Sequence, residues 1–201
     1  MTWKEIKIAA LQRMFAIPGD DIVVDDTTQP YLLSMPAAAN EALQLLSTAG
    51  KFLIKYHELE QDGTQEGIQR YDLRALCDDY YSVKDNQIFV EDENGYRQET
   101  GFVFEGDSIL VLPGEWVGKW RIYYNAYPVE ITKDTPDDYE LPLDPEVAVL
   151  IPLYIASQLY KDDDISQSVQ FRNEFETARE ELRGAVTPVV QTEFVSARGW
   201  W

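Results

Sequence analysis

The stretch "LPLDPEVAVLIPLYIASQLYKDDD", residues 141–164, decides how the rest of the chain is read. Asp144 is a good N-cap residue and Pro145 suits the first helical position, so the spacing predicts a helix over 145–160, bent at Pro152. Apolar residues surround most of that helix, which therefore needs cover from several neighbours and belongs at the centre of a bundle. Its apolar run, 147–156, falls far short of the roughly 20 residues that a membrane span requires, so a buried helix is expected.

The covering helices are legible on both sides. "TWKE" at residues 2–5 fits a capping box and opens a helix over 3–15, with Trp3, Ile6, Ala10 and Met14 on one stripe. Pro30 and Pro36 suit helix starts or a kink, "AANEALQLLSTA" is a run of good helix formers, and Gly50 is expected to close that helix at C′. After 160, the run Asp162, Asp163 and Asp164 suits the positive end of a helix dipole. The final helix carries Phe171, Phe175, Ala178 and Leu182 on one stripe and stops near Gly184 and Pro188.

Between the helical segments the pattern changes. Seven short runs rich in Tyr, Phe, Val and Ile, "KFLIKYHELE" through "KWRIYYNAYP", are separated by Asp62-Gly63, Asp85-Asn86, Asn94-Gly95, Gly106-Asp107 and Pro113-Gly114. Such frequent turn signals predict antiparallel hairpins in a sandwich, and Asn94-Gly95 fits a type I′ turn. In the last run, alternation puts Trp120, Ile122, Tyr124 and Ala126 in the core and Arg121, Tyr123, Asn125 and Tyr127 on the opposite face. The expected fold is therefore α+β: a helical bundle from 1–50 and 141–188, an inserted antiparallel β-sandwich-like domain over 51–130, an acidic linker over 131–140, and an extended C-terminal arm over 189–201.

The arm ends "TEFVSARGWW", unusually apolar for a terminus. Two readings are open: the tryptophans cap the chain's own bundle, or they are held out for another protein. The second is favoured, because no third hydrophobic element near the tail needs covering and Gly199 keeps it pliable. Val189, Val190, Phe194, Val195, Arg198, Trp200 and Trp201 are then the partner-binding residues, through strand addition or aromatic anchors.

Charge narrows the function classes. With 36 Asp and Glu against 17 Lys and Arg, the formal net charge is −19, which opposes specific nucleic-acid binding but not the passage of DNA along a repelling wall. The single Cys77 cannot form an intramolecular disulfide, and the N-terminus lacks a signal-peptide pattern, so a reducing cytoplasm is expected. Catalytic chemistry is thin: His57 reads as a structural histidine and Cys77 as an inert thiol. The aspartate pairs at 20–21, 25–26, 78–79 and 137–138 and the triplet at 162–164 read as solvated caps, so no metal, cofactor or catalytic residue is expected. The aromatic β segment supports a different class, a carbohydrate- or cell-wall-binding module, with Trp116, Tyr123 and Tyr127 as its ligand or partner surface. A small hydrolase using acidic pairs is a third class with no assembled site.

Two stretches, "YLLSMPAAANEALQLLSTAGKFL" (31–53) and "LPLDPEVAVLIPLYIASQLYKDDDISQSVQFRNEFETAREEL" (141–182), resemble head-tail connector proteins of tailed bacteriophages, the adaptor or head-completion group. The shared pattern is a leading helix, a Leu-Pro or Asp-Pro start, an apolar "YIAS-LY" helix, an acidic break and a final amphipathic helix. It covers about a third of the chain, and the β insertion departs from the purely helical smallest members. The resemblance implies a virion structural protein without enzyme activity, forming a homo-oligomeric, dodecameric ring. One side of that ring meets the portal protein and the other a stopper or tail protein. It also implies residence in the virion neck, host cytoplasm during assembly, DNA passing through the channel, no membrane association, and an arm at 189–201 that reaches into the portal.

Overall fold

Thr2 and Glu5 open the first helix as the sequence expects: the Thr2 backbone N–H donates to the Glu5 carboxylate at 2.8 Å, and the Glu5 N–H donates to the Thr2 hydroxyl at 3.2 Å. In this computed structural model, which describes residues 1–15, 19, 21–22, 24–92 and 95–185, the helices are α1 (Trp3–Phe15), α2 (Gln29–Thr48), α3 (Leu73–Leu76), α4 (Pro145–Ala148), α5 (Ile151–Leu159) and α6 (Ile165–Ala185). The strands are β1 (Ile54–Asp62), β2 (Ile68–Asp72), β3 (Tyr80–Asp92), β4 (Gly95–Gln98), β5 (Val103–Glu105), β6 (Ile109–Pro113) and β7 (Val117–Ala126). The fold is α+β, with the sheets inserted between the helical segments.

The helix α5 is the hub. It packs against α1, α2 and α6, and buries Ile151, Tyr154, Ile155 and Ala156, the two isoleucines contributing about 1.5–3 kcal/mol each. Phe175 of α6 is fully buried with its ring 5.1 Å from that of Tyr154, in an edge-on arrangement. Across the hub, the Tyr154 hydroxyl donates to Glu41 of α2 at 3.1 Å. At the far end Tyr31, Phe15 and Tyr160 form an edge-to-face cluster, and the Tyr31 hydroxyl donates to Asp163.

The single helix expected over 145–160 is instead two. α4 ends at Ala148, the Leu150 N–H turns back to the Val147 carbonyl at 3.1 Å, and α5 starts at Ile151. Pro152 thus sits in the first turn of α5, where its missing N–H costs nothing; in mid-helix its ring would strike the carbonyl of Ala148. The Asp144 side chain makes no cap bond; its backbone carbonyl accepts from Val147 and Ala148. Asp164 does cap α6, accepting from the N–H groups of Ser166 and Gln167 at 2.9 and 3.1 Å.

Gly50 was expected to supply the left-handed residue that closes α2, but Lys51 takes that conformation, at φ 57°. Gly50 is required for space: a Cβ there would lie 2.5 Å from the Phe52 ring and 2.6 Å from the Leu46 carbonyl oxygen.

The strands form two antiparallel sheets, one ordered β1-β7-β3-β4 and one ordered β2-β6-β5. Leu110 and Leu112 of β6 alternate inward, as do Ile88 and Val90 of β3 and Trp120, Ile122 and Tyr124 of β7, and all belong to one buried cluster. Gln61 of β1 ties the sheets together, donating to the Pro113 carbonyl at 2.5 Å. Three local features differ from the pattern that the sequence predicts. The runs on either side of Asp85-Asn86 are one strand, β3, whose pairing with β7 is irregular between Val83 and Ile88. The run at 67–76 is a strand followed by the turn of helix α3, capped by Asp72. Asn125 is buried, because the β3 bulge brings Ser82 to its side chain at 3.0 Å.

The segment at 131–140 lies along the bundle. Ile131 exchanges two 2.8 Å hydrogen bonds with the Asn40 side chain, the Tyr139 carbonyl accepts from Trp3, and the Asp137 carboxylate pairs with Lys7 at 2.5 Å.

Candidate functional site

The residues singled out in the sequence fall in four places. Val189, Val190, Phe194, Val195, Arg198, Trp200 and Trp201 lie outside the described residues. Trp116, before β7, stacks on Trp120, ring centroids 5.6 Å apart and planes within 12°. Tyr123 lies on the outer face of the larger sheet between Tyr56 and Phe89, with ring centroids 5.6 and 5.7 Å away. Tyr127 lies past the end of β7, edge-on to Tyr81 at 5.2 Å. Trp116 is therefore grouped with the inward face of β7, while Tyr123 and Tyr127 lie on its other side with buried Asn125 between them. The three do not make one surface.

The outer face is more organised than alternation suggested. Register sets Glu58 of β1 opposite Arg121 of β7, and Glu58 holds both Arg121 (2.7 Å) and Lys119 (2.9 Å). The Arg121 guanidinium lies 4.5 Å from the centre of the Tyr56 ring and 4.0 Å from that of Tyr96. Hydrogen bonds from Arg121 and Lys119 hold the Glu58 carboxyl down to about 2. These exposed ion pairs add little to stability, but they fix an arginine between two tyrosines on an open sheet face. Sequence reasoning missed this group, since the pairing of Glu58 with Arg121 depends on a register that no single strand reveals.

At the root of the sheets, the Ala126 N–H donates to the Leu53 carbonyl at 2.9 Å and Tyr127 donates to the Asp79 carbonyl at 2.7 Å. The Asp79 side chain accepts from Lys55 at 2.5 Å and from the Tyr124 hydroxyl at 2.8 Å. Burial alone would raise Asp79, but these two donors outweigh it and hold the carboxyl below its usual range. Cys77 beside them is buried, which pushes its thiol up and favours the protonated form. His57 is half-buried on β1, facing the same side as Leu59.

Among the described residues no group of three His, Cys, Asp or Glu side chains is arranged to hold a metal ion, and no helix is long and apolar enough to cross a membrane. One member of each acidic group has a partner: Asp25 accepts from the backbone of the turn before α2, Asp164 caps α6, and Asp21, Asp79 and Asp137 each hold a lysine.

Of the clefts among the described residues, three border the helices and the Trp116 stack. One of about 490 Å³ lies between α1, α2 and 132–137, where Lys4 and Lys7 are held by Asp21 and Asp137. Another of about 610 Å³ runs between α5 and α6, past Leu153, Val169 and Ala178. The third, about 420 Å³, is lined by Trp116 and Trp120 with Arg97, Glu99 and Glu115. Compared with known proteins, the chain matches no family model and no curated protein.

Proposed function

We propose that this chain is a structural head-tail connector of a tailed phage virion. It performs no reaction; copies form a ring that docks on the portal, extends the DNA channel and seats a stopper or tail protein. The observation that carries this reading is that the two stretches resembling the adaptor group are packed against each other. The first forms most of α2 and the second forms α4, α5 and α6, joined through Tyr154, Glu41 and Phe175. In the sequence the aromatic segment at 189–201 follows α6, and α6 exposes Ile165 and Val169 for contact with another surface. The net charge of −19 suits a channel wall to which DNA does not adhere.

Mixing the purified chain with the portal ring of the phage that encodes it tests the reading by electron microscopy. A second ring of this chain, coaxial with the portal and with a matching number of subunits, is expected. Portal rings that remain bare at micromolar chain would overturn the assignment.

A further inference from the structure

We infer that residues 189–195 add to β1 of their own chain as a further strand of the larger sheet, parallel to β1, leaving Arg198, Trp200 and Trp201 beyond the strand for a partner. The inference stands without the connector reading. β1 forms one edge of that sheet and is nine residues long, paired with β7 from Ile54 to Asp62 without a register shift. The edge strands β2, β4 and β5 have only five, four and three residues. Short edges offer little template for pairing, whereas a long, regular one without proline or bulge invites it. Among the described residues, no backbone hydrogen bond reaches the side of β1 that faces away from β7. Ile54 and Tyr56 of the same strand are 38% and 51% exposed.

The segment has a strand-forming composition. "VVQTEFV", residues 189–195, holds Val189, Val190, Thr192, Phe194 and Val195 and no glycine or proline. Alternation gives it one face of Val190, Thr192 and Phe194, apolar enough to cover Ile54 and Tyr56. Residues 186–201 carry one acid, Glu193, and one base, Arg198, in a chain of net charge −19. Glu60 and Asp62 on β1 repel the edge of a second acidic copy, while a neutral segment meets no such opposition.

The bundle sets the starting point. Tyr160 at one end of α5 meets Phe171 of α6 at 6.5 Å, and Asp163 just beyond it accepts from Tyr31 of α2. Tyr154, nearer the other end of α5, meets both Glu41 and Phe175. α2 and α6 therefore run the same way, opposite to α5. α2 continues to Thr48, shortly before β1, and α6 continues to Ala185. α6 thus ends on the side of the bundle from which β1 starts and runs outward, which gives the parallel sense. Residues 186–188 bridge up to about 13 Å, more than the roughly 8–10 Å between packed helices.

Amide hydrogen exchange of the full chain, of a chain ending at residue 188 and of Thr192→Pro tests the pairing. In the full chain, amides of 189–195 are expected to exchange at least about tenfold more slowly than unstructured peptide. In the two altered chains, alternate amides of Ile54–Glu60 should exchange about tenfold faster while those of β7 stay as they are. Both changes lie outside the buried core, so the fold is retained. Protection of 189–195 should persist on dilution from about 100 to about 1 μM. Exchange of 189–195 at the rate of unstructured peptide, or β1 amides protected equally in all three chains, would overturn the inference. So would protection lost on dilution, which assigns the edge to another copy. No portal is present in these measurements, so their failure is distinct from failure of the connector reading.

Discussion

Asn40 acts as a strand partner from within a helix, because its amide both donates to and accepts from the backbone of Ile131, a residue only 1% exposed. Asn40→Ala leaves that buried N–H and C=O unmet and should cost about 2–3 kcal/mol, read as a lower urea midpoint at unchanged slope. An unaltered midpoint would mean that the returning chain is held elsewhere. Glu58 gives a pH test. Its carboxyl is held at about 2 against an ordinary 4.5, so its contribution is complete above the ordinary value and is lost as pH falls through that window. Because the pairs are exposed the effect on stability is small, so the test is the Glu58 carboxyl resonance itself, which should titrate near 2, and a midpoint near 4.5 would contradict the pairing. At this scale the sequence is legible where chemistry is local. Thr2 with Glu5, and Asp164 before α6, act as caps over three residues of chain. Asn125 and Glu58 were not legible, because a bulge and a strand register, set by distant residues, decide which side of the sheet meets them.

Pro152 shows the same limit for whole elements. The helical period identified both α4 and α5, but it could not distinguish a bent helix from a broken one, since both keep the same apolar residues inward. Because Pro152 lies in the first turn of α5, Pro152→Ala should change stability by less than about 1 kcal/mol. A gain near 3 kcal/mol, measured by chemical unfolding, would indicate a proline straining a helix interior instead. The end of α2 offers a second test. Lys51 holds φ 57°, so Lys51→Gly should stabilise by about 1 kcal/mol, whereas Gly50→Ala should destabilise by forcing a methyl onto Phe52 and the Leu46 carbonyl. The reverse order of melting temperatures would contradict this closure. Composition and turns identified the insertion of β-structure between helices, but the merging of two runs into β3 was hidden, because Asp85-Asn86 carries a turn signal in a strand that continues.

For the whole molecule, the entry and exit of the sheets lie side by side, with Ala126 bonded to Leu53 and β7 the strand that packs on α2. Replacing residues 54–126 with a short Gly-Ser linker should therefore leave a helical protein that unfolds cooperatively; loss of helical signal would mean that sheets and helices fold as one unit. The connector reading itself places its attachment in 189–201, and the two terminal tryptophans, at about 2–3 kcal/mol each when buried, carry most of the expected energy. The decisive measurement is the affinity of the portal ring for the full chain and for a chain ending at residue 188. Tight binding of the full chain, weakened at least about a thousandfold by the truncation, is the expected result. Equal binding by both forms would contradict it.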